Sequence, residues 1–109
     1  GGIYMGLSTG LFEQLQLRKG VPLNNSLADY ITATVMDMPE EIFPAFVEVP
    51  QVDGPFGARG VGEHTMVPTA PALANAVYDA LGVRIKSMPV TAEKILCELK
   101  VKKLVGQTV

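Results

Sequence analysis

The sequence predicts an α+β fold, with two or three helices and a small sheet. Three observations carry that expectation: leucines at four-residue steps near the N-terminus, a second helical apolar period from residue 69, and two short β-branched runs between them. At 109 residues the chain fits one small domain, 1–109, with residues 97–109 as its tail.

In residues 3–17, Leu7, Leu11 and Leu15 line one helical stripe with Phe12 beside it. Gly2, Gly6 and Gly10 share a second four-residue spacing. Each costs up to ~1 kcal/mol of helix propensity against alanine. A bare glycine face therefore either packs very close to a neighbour or admits a ligand to the backbone. Residues 18–29 (RKGVPLNNSLAD) are turn-rich. The runs 30–36 (YITATVM) and 45–49 (AFVEV) read as strands, broken by Asp37-Met38-Pro39 and by Pro50.

Residues 50–64 form a long loop without a period. Val52, Phe56 and Val61 give it apolar anchors, which argues for function over disorder. From 69 to 81, Leu73, Ala76, Val77, Ala80 and Leu81 form one helical face, opposite Asn75 and Asp79. Thr69 is the expected N-cap, Pro71 stands in the first turn and Gly82 stops the helix. The alanines at 70, 72, 74, 76 and 80 make it thin. Val83-Arg84-Ile85 reads as an extended link. Thr91 caps a last helix whose Ala92, Ile95, Leu96 and Leu99 face inward, with Cys97 as buried filler. Tyr30 and Tyr78 read as core or rim residues.

Composition narrows the function. A net charge of −2 leaves no basic field for nucleic acid. One cysteine and one histidine make a protein-ligated zinc site unexpected and exclude an internal disulfide framework. No apolar run reaches the roughly 18 residues of a membrane span, and a reducing, cytoplasmic location is expected. At 18% charged residues, the chain is leaner than the ~25% usual for soluble domains, which suits a piece that buries surface against something else. It opens on Gly-Gly-Ile and enters directly on a helix, as expected of part of a longer protein.

The chemistry concentrates in GARGVGEH, residues 57–64. The dinucleotide fingerprint needs glycines at positions 1, 3 and 6, whereas Gly57, Gly60 and Gly62 stand at 1, 4 and 6. A P-loop needs lysine after its second glycine, and Glu63 is there instead, which reverses the electrostatics. Glycines let backbone N–H groups converge on an acceptor-rich group, with Glu63 at the cradle's edge as a general base. The alternative is a surface glutamate on a flexible turn.

The string GPFGARGVGEHTMVPTAPALANAVYDALGVRIKSMPVTAEKIL, residues 54–96, resembles the C-terminal segment of the molybdopterin-binding subunit of the xanthine dehydrogenase, aldehyde oxidase and carbon monoxide dehydrogenase family. GGIYMGLSTGLFEQL, LNNSLADY and DMPE resemble its upstream pieces. The resemblance implies a fragment of a molybdenum hydroxylase, which oxidises an electron-poor carbon with water-derived oxygen. It makes Glu63 the general base beside the molybdenum and places Ala58, Arg59, Gly60, Val61 and Gly62 along the pterin cofactor, possibly a dinucleotide. The pterin holds the metal, so no protein metal ligand is needed. Iron–sulfur clusters and FAD would lie elsewhere in the parent enzyme, whose partners would be the rest of the subunit, the iron–sulfur and FAD subunits or domains, and a small-molecule substrate.

One departure stands out. Many family members carry glutamine where this chain has Met5, and a thioether cannot donate an amide hydrogen bond. His64 is expected to be exposed and uninvolved. Arg59 either reaches the cofactor phosphate or substrate, or makes a surface salt bridge. The isolated fragment is expected to be inactive and to associate through exposed apolar surface. The other classes are a non-catalytic binding or structural module derived from the family, and a nucleotide-binding domain.

Overall fold

A computed structural model describes residues 1–106, with side chains through Leu104. Three helices and one two-stranded hairpin are present among these residues: α1 (Gly2–Leu11), β1 (Leu17–Arg18), β2 (Val21–Pro22), α2 (Thr69–Leu81) and α3 (Ala92–Gly106). The long stretch between β2 and α2 holds only single 3-10 turns, at Val35–Asp37, Pro55–Gly57 and Glu63–Thr65. This agrees with the expected α+β class while moving its sheet.

Helix α1 ends six residues before the expected boundary at 17. The cause is local competition for backbone groups. Asn24, nearly buried, accepts the Gln16 N–H at 2.8 Å and donates to the Gln14 carbonyl at 2.7 Å. Those groups are thereby committed outside a helix. The chain then turns through Lys19 (φ 51°) and Gly20 (φ 81°), the left-handed pair that a tight hairpin requires. Leu17 faces Pro22 and Arg18 faces Val21 in an antiparallel register. The small sheet thus lies in the segment read from sequence as turns.

The two strands expected at 30–36 and 45–49 do not form. Strand propensity reports fitness for a pleated surface, and no strand lies beside either run among the described residues. Residue 33 is held by a helix instead. The Ala33 N–H donates to Ser8 Oγ at 3.0 Å, and Tyr4 Oη donates to the Ala33 carbonyl. Both Ser8 and Ala33 are buried. Nearby, Tyr30 Oη donates to the Glu13 carboxylate at 2.8 Å, which raises the tyrosine's pKa.

The core is the seam between α1 and α2. Gly2, Gly6 and Gly10 are buried along α1. A Cβ on Gly6 would stand 2.7 Å from Thr69 Oγ1 and 2.8 Å from Thr69 Cγ2, and one on Gly10 would stand 3.2 Å from Leu73 Cδ2. The glycine face is therefore a packing face, the first of the two readings. On α2, Ala74 is buried and Thr69, Ala70, Leu73 and Val77 are half-buried, whereas Ala76, Ala80 and Leu81 are exposed. The expected face is rotated: Leu73 and Val77 stay on it, while Thr69 and Ala70 replace Ala76, Ala80 and Leu81 beside α1. Asn75 and Asp79 are exposed, as expected.

Helix α2 has the expected bounds. Thr69 is not its cap: Pro68 takes that position, and the Thr69 hydroxyl donates back to the Thr65 carbonyl at 2.8 Å. Gly82 does end it, at φ 63°, with its N–H on the Tyr78 carbonyl at 2.7 Å. In the following link Val83 and Ile85 are buried and Arg84 is exposed. Arg84 lies 3.9 Å over the Tyr78 ring, at the rim of the molecule, and donates to Asn75 Oδ1 at 2.9 Å. Val90 is buried and bonds the Gly10 carbonyl at 2.7 Å, which closes the end of α1.

Thr91 caps α3 as expected, its hydroxyl accepting the Lys94 N–H at 3.3 Å. The helix continues through residues read as tail; residues 107–109 of that tail lie outside the described residues. Ile95 and Leu99 are half-buried, but Ala92, Leu96 and Cys97 are exposed, against expectation. α3 makes a shallow contact here, so its apolar period has only a partial partner. No helix among the described residues is long and apolar enough to cross a membrane.

Candidate functional site

The loop from 50 to 66 is built from two turns that flank a stretch without internal bonds. In the first, the Gly54 N–H donates to Gln51 O at 3.2 Å, Gly57 to Gly54 O at 3.0 Å, and Ala58 to Pro55 O at 2.9 Å. Phe56 (φ 55°) and Gly57 (φ 78°) reverse the chain so that the Gly57 carbonyl accepts the Gln51 N–H at 3.1 Å. A phenylalanine with positive φ costs of order 1–3 kcal/mol, and such outliers cluster at functional sites. In the second turn, the Met66 N–H donates to the Glu63 carbonyl at 3.0 Å.

Between the turns, Arg59, Gly60, Val61 and Gly62 are exposed, and their N–H groups donate to no atom among the described residues. Exposed amides without a partner in the chain are open to an acceptor-rich group. Ala58 stands apart from the other four expected cofactor residues, its N–H already committed to Pro55. Gly57 likewise spends its N–H inside the turn. The amides left free are therefore those of 59–62 and not those of the three glycines as a set. A Cβ at Gly62 would meet nothing within 4 Å, and one at Gly60 would lie 3.4 Å from His64 Cε1. Open approach and free donors fit a pterin-type cofactor, which presents many acceptor atoms.

Glu63 follows directly. It is exposed, and no side chain hydrogen-bonds or pairs with its carboxylate among the described residues. His64 and Arg59 are exposed too, and Arg59 forms no salt bridge among the described residues. A cleft of about 500 Å³ runs along the loop's outer side, between Phe46–Pro50 and Phe56–Val61. Glu63 is outside its lining. No group of three or more His, Cys, Asp or Glu able to hold a metal occurs among the described residues. Met5 is 38% exposed on α1.

Sequence reasoning missed the residues that hold this loop in place. Thr65 and Thr69 seat over Gly2 and Gly6. The four-residue glycine spacing on α1 was the available signal, and its partner was invisible because it lies some sixty residues away.

No protein-family model matches the sequence. Individual proteins do. The putative xanthine dehydrogenase molybdenum-binding subunit of Escherichia coli strain K12 is 35% identical over 107 residues, covering 96% of this chain and 14% of that subunit. The chain belongs to the xanthine dehydrogenase and aldehyde oxidoreductase family of molybdenum-binding subunits. The aldehyde oxidoreductase molybdenum-binding subunit of the same strain is 33% identical over 101 residues, covering 91% of this chain and 14% of its own. Among solved structures, quinoline 2-oxidoreductase from Pseudomonas putida 86 superposes with a TM-score of 0.81 at 30% identity, covering 92% of this chain and 13% of that one. This family segment therefore spans about one-seventh of its relatives' length.

Proposed function

We propose that this segment supplies the general base and one wall of the cofactor site of a molybdenum hydroxylase, with Glu63 as the base. The observation that carries the reading is the junction of four free, exposed amides, Arg59–Gly62, with an unpaired exposed carboxylate in a chain related to molybdenum-binding subunits. Arg59, Gly60, Val61 and Gly62 hold the cofactor through backbone N–H donation, and Ala58 lines it through its remaining surface. When bound, the molybdenum cofactor, as molybdopterin or its dinucleotide, supplies the two-electron redox chemistry that carries water-derived oxygen to an electron-poor carbon.

Glu63 accepts and holds a proton at a carboxylate oxygen, a role worth ~10²–10⁴-fold in rate. Its lack of an internal partner leaves both oxygens available for that proton. The rest of the subunit completes the cofactor shell. Iron–sulfur and FAD segments or subunits of a cytoplasmic, oligomeric enzyme take the electrons onward. The isolated 109 residues have no turnover.

Glu63→Gln in the full-length enzyme tests this reading. The carboxamide keeps the shape and removes the base. Turnover falls by at least ~10²-fold while molybdenum content stays at the wild-type level. Near-normal rates in that variant would end the assignment.

A further inference from the structure

We propose that Thr65, seated over Gly2, is a positioning residue that sets the direction of the Glu63 carboxylate; this inference rests on the general-base reading. The turn that carries Glu63 touches α1 at Gly2. A Cβ on Gly2 would overlap Thr65 Oγ1, lie 3.0 Å from Thr65 Cβ and stand 3.3 Å from the Met66 backbone nitrogen. Only a bare backbone at position 2 lets the turn come this close. The Thr65 carbonyl accepts the Thr69 hydroxyl at 2.8 Å, and the Thr69 side chain itself fills the hollow over Gly6. The turn is thereby pinned at two hollows of α1, one helical turn apart.

The asymmetry around Glu63 gives this joint its consequence. On the upstream side, Arg59–Gly62 make no hydrogen bonds among the described residues, so within this segment nothing there holds the glutamate's backbone, the proposed cofactor contacts aside. On the downstream side, the Met66 N–H to Glu63 carbonyl bond and the Thr65–Gly2 contact hold its backbone two residues from a rigid helix. A general base misplaced by about 1 Å can lose ~10²-fold in rate. The geometry of Glu63 therefore depends on Thr65 and Gly2, neither of which needs to touch substrate.

The test uses the full-length enzyme with Gly2→Ala, Gly10→Ala, Thr65→Ala, Thr65→Ser and Glu63→Gln. Gly2→Ala and Thr65→Ala are expected to lower kcat by about tenfold or more, with KM nearly unchanged and molybdenum retained. Thr65→Ser keeps the oxygen that sits over Gly2 and should restore the rate. Gly10→Ala loads the same seam against Leu73, two helical turns from Gly2, so it should lower Tm while leaving kcat in place. A wild-type kcat in Thr65→Ala would overturn the positioning role, even with Glu63→Gln inactive. Should Gly2→Ala fail to fold, the Thr65 pair decides alone. Near-normal turnover in Glu63→Gln would instead overturn the general-base reading beneath it.

Discussion

Along the α1–α2 seam, three glycines and Ala74 are buried, with Thr65, Thr69 and Leu73 over the glycines. Along residues 39–52, large apolar side chains stand in solvent: Phe43 is 84% exposed, Phe46 77%, Val47 89% and Val52 99%. The seam has little side-chain volume and is closed, whereas the strap has abundant apolar volume and is open. Apolar content thus does not locate a core; complementarity does. The glycine face finds its partner within the chain, while the strap has none among the described residues. The dimensions agree: the radius of gyration is 18.3 Å, against about 13 Å for a compact chain of this length. The chain itself covers 14% of the length of the xanthine dehydrogenase subunit it matches.

The strongest way to break the comparison is to fill the seam. Gly6→Val would press a branched side chain into Thr69, where even a Cβ is too close. It should cost at the upper end of ~1–3 kcal/mol, read as a fall in the denaturation midpoint. A change within error would show that the helices part easily and that the seam is not the core.

The next test separates the two regions by context. Phe46→Ser should change the isolated chain's stability by under ~0.5 kcal/mol, because the ring is already exposed. In the full subunit the same substitution should cost ~1.5–3 kcal/mol, the value of burying such a side chain. Equal effects in both would mean the strap remains in solvent in the enzyme too.

The smallest expected effect is at the edge of the strap. Asp37 accepts the Thr34 N–H and hydroxyl, each at 2.7 Å, and the backbone bond first and the hydroxyl second lower its pKa from the ordinary 3.8. A lowered folded pKa gives stabilisation that is present above the ordinary carboxylate range and lost as pH falls through the folded value. The Thr34 amide resonance should therefore keep its hydrogen-bonded shift to below pH 3.8. It should lose that shift at all pH values in Asp37→Ala.

Much of α2 is legible in the sequence. Its bounds and its Gly82 stop are local properties, set by side-chain spacing and by one left-handed residue. The Thr91 cap of α3 was legible for the same reason. The failures share a different cause. YITATVM and AFVEV carry strand-forming residues, but a strand needs a neighbour, and their neighbours are not determined by those residues. Ala92, Leu96 and Cys97 were placed inside by helical spacing, yet burial depends on what lies across from that face. In the candidate site, Glu63 and the glycine-rich loop were legible through resemblance to a family. The division of labour among 57–62 was not, because it depends on which amides the first turn consumes.

The sequence by itself determined the bounds of α2 and the start of α3, that a glutamate closes a glycine-rich loop, and the family to which the segment belongs. Those features are encoded in neighbours a few positions apart. Tertiary structure alone decided that the bare face of α1 receives Thr65 and Thr69, that Ala33 hangs on Ser8 and Tyr4, and that Arg59–Gly62 keep their amides free. Each of those pairings joins groups far apart in the chain or depends on hydrogen bonds made elsewhere, and close packing assigns such partners only once the backbone is in place.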